Sequence, residues 1–357
     1  MTEEYVSRAR AAGASDVHLV AGLTPRCRVD GAIRPLGEEV LTQRQCEELI
    51  QELAGGELAT LRMVGEADLA LTIAGVRCRL NLFRQQGCWS AAIRLLNEHI
   101  PDLSELGLPA VVSDFPAYSQ GLVLITGETG SGKSTTLAAV LNQINRQEAK
   151  HILTLEDPIE YVYTPDRCII NQREVGKDTQ SFAAGLRAAL REDPDVILVG
   201  EMRDLETIET ALTAAETGHL VFGTVHTNSA ADSIDRMVDV FPAQRQQQIR
   251  LQLSMTLKAV LSQQLLPKVG GGRVLACEVM KVDGAIRNLI REGKTPQIAN
   301  AIQTTGAAGN ILMDRCLQNL RASGVITEET FRSALRDQSQ PAAPAGGARG
   351  TGFRRPL

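Results

Sequence analysis

At 357 residues, with 43% hydrophobic and 22% charged positions, the chain is long enough for about two domains, each with its own core. A net charge of -5 argues against a general nucleic-acid binder, and an aromatic content of 3% leaves little with which to stack exposed bases. The opening residues Met1-Thr2-Glu3-Glu4-Tyr5 lack the basic segment and apolar core of a secretory signal, and no apolar run approaches the roughly 20 residues needed to span a bilayer.

Residues 1–98 read as a mixed α/β domain. Residues 25–36 alternate around Asp30-Gly31, a hairpin turn signal, and residues 68–73 and 76–83 form a second alternating pair around Ala74-Gly75. Residues 89–95 predict a further strand. Between the hairpins, residues 42–61 carry Cys46, Leu49, Ile50 and Leu53 at helical spacing, with Thr42 as N-cap. Residues 99–120 contain Pro101, Pro109 and Pro116 and read as an interdomain connection. From 121 to 337, apolar strands alternate with helical patterns, as a parallel α/β sheet requires. A helix is predicted over 242–264, followed by a helical C-terminal part. Residues 338–357, rich in Pro, Ala, Gly and Arg, read as a disordered tail. The seven cysteines are odd in number and form no C-x-x-C pair, so neither a disulfide framework nor a zinc site is expected, and a reducing compartment fits.

The strongest motif is Gly127-Glu128-Thr129-Gly130-Ser131-Gly132-Lys133-Ser134, which fits the phosphate-binding pattern G-x-x-x-x-G-K-[ST]. Glycines let the backbone curl close to a phosphate, inward N–H groups make an anion nest, Lys133 reaches the β- and γ-phosphates, and Ser134 offers a hydroxyl to Mg²⁺. Residues 122–126 form an apolar strand before the loop. Leu137, Val140, Leu141 and Ile144 make one helical face after it. The nucleotide-binding set is Gly127, Thr129, Gly130, Ser131, Gly132, Lys133, Ser134 and Thr135, with ATP and Mg²⁺ as ligands.

Three more strand candidates, 152–155, 196–199 and 220–225, run into Glu156-Asp157-Pro158, Gly200-Glu201 and His226-Thr227-Asn228. Parallel strands would bring all four polar ends to one edge, where ligands of open α/β sheets bind. Glu156 is the first choice to orient the attacking water, and Glu201 to hold Mg²⁺ through water. Gly200 stands where many phosphate-loop enzymes have Asp, which leaves the division between the two carboxylates open. His226 and His219 read either as γ-phosphate sensors or as structural strand-end histidines.

These residues identify a family by resemblance. Residues 127–134 resemble its Walker A, 153–160 its "Asp box", 195–204 its Walker B and 217–227 its "His box". Together they resemble the type II/type IV secretion superfamily of hexameric ATPases. Within it the chain is similar to the type IV pilus retraction ATPases, from about residue 4 to about 335. Ser15-Asp16-Val17-His18-Leu19 resembles their N-terminal signature. Ala285-Ile286-Arg287-Asn288-Leu289-Ile290-Arg291-Glu292 resembles the segment that marks retraction, while the relatives that drive extension commonly carry a tetracysteine zinc element. On physical grounds alone, that segment is an amphipathic helix with a solvated basic side.

The resemblance implies a PAS-like N-terminal domain, a RecA-like ATPase domain and a homohexamer with nucleotide at subunit boundaries. It makes Arg79 and Arg94 candidates to reach a phosphate, against the alternative of solvated surface arginines, and makes Arg203 a local organiser. It further implies an inner-membrane pilus platform protein as partner, an accessory retraction ATPase as a second one, no nucleic acid, and a cytoplasmic location at the inner face of the membrane.

Overall fold

Two β-sheets organise the residues that this computed structural model describes, 1–29, 32–96 and 99–338. The first is built from β1 (Asp16–Val20), β2 (Arg26–Val29), β3 (Ala32–Pro35), β4 (Glu66–Ile73), β5 (Val76–Gln85) and β6 (Cys88–Leu95). Its order is β3-β2-β1-β6-β5-β4, antiparallel throughout. Both expected hairpins form, although the Asp30-Gly31 turn itself lies outside the described residues.

Strand β5 alternates Val76, Cys78, Leu80 and Leu82 inward with Arg77, Arg79 and Asn81 outward, the period-2 pattern of a sheet covered on one face. The covering helices are α1 (Thr2–Ala11), α2 (Gln43–Ala54) and α3 (Leu58–Val64). Thr42 caps α2 in a reciprocal capping box with Gln45. The helix expected over 42–61 is broken, because Gly55, at φ 50°, ends α2, and α3 starts again after a 3₁₀ turn over Gly55–Glu57. A core of residues including Val17, Leu49, Leu61, Leu80 and Ile93 lies between the helices and the sheet.

The second sheet contains β7 (Gly121–Thr126), β8 (His151–Glu156), β9 (Ile169–Glu174), β10 (Val196–Val199), β11 (Leu220–Val225), β12 (Leu257–Pro267) and β13 (Arg273–Lys281). Its order is β13-β12-β7-β11-β10-β8-β9, parallel except for the β12/β13 hairpin at one edge. Strands β7, β10 and β11 are buried at every position. Helix α4 (Lys133–Gln147) covers one face. Helices α5 (Phe182–Ala189), α6 (Leu205–Glu216), α7 (Ala230–Asp239), α8 (Ala243–Thr256), α9 (Gly284–Glu292) and α10 (Ile298–Thr304) cover the other. Helices α11 (Met313–Ala322) and α12 (Glu328–Gln338) pack beyond the β12/β13 edge.

Two expectations are corrected here. The helix predicted over 242–264 stops at Thr256, and its second half is β12, which pairs with β7. Leu257, Val260 and Leu261 stand at i, i+3 and i+4, so they imitate a helical stripe, and the register slip between Leu257 and Ala259 reconciles that spacing with a strand. The C-terminal part is not wholly helical either. Strand β13 returns along β12 after Gly270, Gly271 and Gly272, all at positive φ. The connection over 99–120 holds two 3₁₀ segments, Leu103–Leu106 and Ala110–Ala117, whose Leu103, Val112 and Phe115 join the core beneath α4. Of the tail expected over 338–357, Gln338 instead ends α12, and 339–357 lie outside the described residues. Among the described residues no helix is long and apolar enough to cross a membrane.

Candidate active site

The phosphate loop turns from β7 into α4. Gly127 takes φ 141°, and a Cβ there would overlap the Gln263 carbonyl oxygen and the Ser131 side chain. Gln263 belongs to β12, so the strand that the sequence had disguised as helix forms the floor of the loop. Its side-chain Nε2 also donates to Thr136 Oγ1 at 2.8 Å. Lys133 Nζ donates to the carbonyls of Gly127 at 2.7 Å and Glu128 at 2.9 Å, inside the curl. Burial pushes its ammonium below the ordinary value, opposed by Glu201, Glu160 and Glu128. Ser131 Oγ is buried with no partner among the described residues, a group that a phosphate oxygen would satisfy. With the Gly127 cradle and the N-terminus of a 15-residue helix, the loop fits a nucleotide phosphate. Thr129 and Ser134 are exposed at its rim, and Thr135 Oγ1 lies 2.9 Å from Tyr161 OH.

The parallel pairing β7-β11-β10-β8 brings the polar strand ends to one edge. Glu156 closes β8. Its Oε1 accepts from Thr154 Oγ1 at 2.6 Å and from Gln172 Nε2 at 3.2 Å. Burial raises its carboxyl above the usual range, and those two hydrogen bonds only partly offset the effect. Glu201 differs. Burial pushes its carboxyl up, but His226 Nε2 at 3.1 Å from Oε1, together with Arg203, outweighs burial and holds it below the usual range. The two carboxylates are thus shifted in opposite directions, Glu156 up and Glu201 down.

Gly200 has a steric reason. A Cβ there would lie 2.9 Å from the Leu155 carbonyl oxygen, which accepts the Gly200 N–H at 2.8 Å. Aspartate does not fit that position, so Glu201 is the acid of β10.

His226 follows β11 and touches Glu201. His219 precedes β11, at the opposite end of the sheet, where Nδ1 lies 3.0 Å from the Ala214 carbonyl oxygen. Within this chain His219 is not part of the edge. Arg79 and Arg94 are exposed and directly opposed across β5 and β6. Arg94 Nε donates to Asp16 Oδ1 at 3.1 Å, and neither arginine bonds to the phosphate loop among the described residues. Ala285, Ile286, Arg287, Asn288, Leu289, Ile290, Arg291 and Glu292 form α9, capped by Asp283. Ile286 and Ile290 are buried, while Arg287 donates to the Ser254 carbonyl of α8 and Arg291 to Asn288 Oδ1.

Sequence reasoning missed Thr154, Gln172, Tyr161 and Gln263. Only Thr154 left a signal, because positions i and i+2 of a strand share a face. The others reach the site from separate elements.

A phosphate loop at one strand end, with carboxylates at the neighbouring ends of a parallel sheet, defines a RecA-like nucleotide hydrolase. Residues 1–340 match the family described as Type II/IV secretion system protein. The chain belongs to that family and is an ATPase of it. It is 51% identical over 329 residues to the type IV pilus retraction ATPase PilT of Pseudomonas aeruginosa, covering 91% of this chain and 95% of that protein. It is 45% identical over 316 residues to a twitching motility protein of Neisseria gonorrhoeae, covering 88% of this chain and 84% of that one. A crystal structure of the pilus retraction motor PilT with bound ADP superposes with a TM-score of 0.88 at 48% identity, over 93% of this chain and 96% of that one.

Proposed function

We propose that the chain is the ATP-driven motor of type IV pilus retraction. It would act as a homohexamer at the inner face of the cytoplasmic membrane on the platform protein at the pilus base. The observation that carries the reading is that the phosphate loop, Glu156 and Glu201 stand at the ends of parallel strands on one sheet edge, in a chain similar along its length to retraction ATPases.

In this reading ATP lies on residues 127–135, and Ser134 and Glu201 hold Mg²⁺, which supplies charge neutralisation at the phosphates. Glu156 orients the attacking water and accepts its proton. Arg79 and Arg94 reach the γ-phosphate of a neighbouring subunit, which suits two exposed arginines that make no bond to the phosphate loop of their own chain among the described residues. Residues 1–98 and 121–337 move as separate domains about the connection over 99–120, and α9 passes the motion on through its exposed basic side.

Glu156→Gln is expected to lower kcat at least about a hundredfold while ATP binding stays within about threefold. Near-normal turnover would remove Glu156 from the chemistry. Surface pili and twitching in a deletion strain decide direction: excess pili without movement support retraction, and absent pili refute it.

A further inference from the structure

One ion-pair cluster joins the two sheets and takes no part in the site described above. Glu174 ends β9, and its side chain is only 7% exposed. Its Oε2 accepts from Arg77 Nη2 of β5 at 3.1 Å and from the backbone N–H of Ile159 at 3.3 Å. Its Oε1 lies 2.5 Å from Lys177 Nζ, which also donates to the Ala70 carbonyl of β4 at 3.2 Å. Two strands of the N-terminal sheet are therefore tied to one carboxylate of the ATPase sheet.

The backbone of Glu174 makes the second half of the link. Glu174 stands opposite Glu156 in the β8/β9 register, and Val175 N–H donates to the Glu156 carbonyl at 2.8 Å. Ile159 lies three residues beyond Glu156 in the same loop. A displacement of β5 thus reaches Glu156 through one side chain and two backbone hydrogen bonds. Arg77 also shares its strand face with Arg79, two residues on, so whatever moves one moves the other.

Arg77 is only 20% exposed, yet its Nε is buried and unpartnered among the described residues, so the guanidinium leaves bonding capacity unused.

We propose that Arg77 and Glu174 are a positioning pair for hydrolysis, making the placement of the Glu156 carboxylate depend on the placement of the N-terminal sheet. The proposal rests on the reading of Glu156 as the residue that orients water.

The test uses the full-length chain and ATP turnover counted per nucleotide-binding site. Arg77→Gln leaves Glu174 paired with Lys177 and is expected to fold, as a melting curve checks. It should lower kcat about tenfold with KM for ATP within about twofold, and Arg77→Lys should recover most of the loss. Combining Arg77→Gln with Glu174→Gln should cost no more than about twofold beyond the weaker single variant, because the two act as one unit. Normal kcat in folded Arg77→Gln, a rise in KM in its place, or losses that multiply would each overturn the pair. If Glu174→Gln does not fold, the Gln and Lys variants at position 77 decide alone. Glu156→Gln measured in parallel separates the two readings. Its inactivity beside a normal Arg77→Gln removes only the pair, whereas its normal turnover removes the Glu156 role and this route with it.

Discussion

The two sheets place their functional groups differently because they are buried differently. The ATPase sheet is covered on both faces, and β7, β10 and β11 have no exposed position along their length. A charged group there has only the strand end, so Glu156, Glu201 and His226 lie where a strand gives way to a loop, and Lys133 opens the helix that follows the loop after β7. The N-terminal sheet is covered on one face. Its charges stand on the strands themselves, with Arg79 facing Arg94, Arg94 facing Asp16, and Asp16 facing Arg28 in a row across four strands. One sheet gathers chemistry at an edge, and the other presents a broad face to whatever approaches it.

The contrast can be attacked where it is strongest. If the outward row serves a neighbouring subunit, Arg79→Ala and Arg94→Ala should each lower ATP turnover by about a hundredfold or more in the assembled oligomer, with the melting temperature unchanged. Equal turnover in both variants would return these arginines to ordinary solvated surface. A smaller effect tests the close packing at the strand ends. Gly200→Ala sets a Cβ against the Leu155 carbonyl and should destabilise by about 1–3 kcal/mol, read by chemical denaturation. Unchanged stability would mean that the β8/β10 edge yields easily.

The mildest prediction concerns protonation. Glu156 has a raised carboxyl pKa, so activity that needs it charged is lost on acidification earlier than for an ordinary glutamate. Thr154→Val removes a hydrogen bond that lowers this pKa, so the acid limb of kcat should move to higher pH. The linked stability runs the other way. Between the ordinary and the raised pKa the folded state holds the extra proton, so this group's contribution weakens as pH rises through that window. A limb that stays in place in Thr154→Val would assign the titration to another group.

Most of the ATPase edge was legible in the sequence because its signals are local. Gly127, Gly130, Gly132 and Lys133 are spaced by the curl they make, and Glu156 and Glu201 follow directly on apolar runs. The β12 strand was not legible. Leu257, Val260 and Leu261 have the spacing of a helix, and only pairing with β7 decides between the two periods. Gln263 went unseen with it, since nothing local connects it to Gly127.

The sequence by itself determined the phosphate loop, the four central strands and the acidic residues at their ends, because residue type and spacing within a few positions carry that information. Tertiary structure alone decided what each residue does to its neighbours. Glu156 and Glu201 are the same residue type, and their opposite pKa directions come from burial, which prevails over the Thr154 and Gln172 hydrogen bonds at Glu156 and yields to His226 and Arg203 at Glu201. Gly200 owes its identity to a carbonyl 45 positions earlier, and Arg77 finds Glu174 across 97 positions. Such contacts depend on the distance between elements in space, which no local pattern encodes.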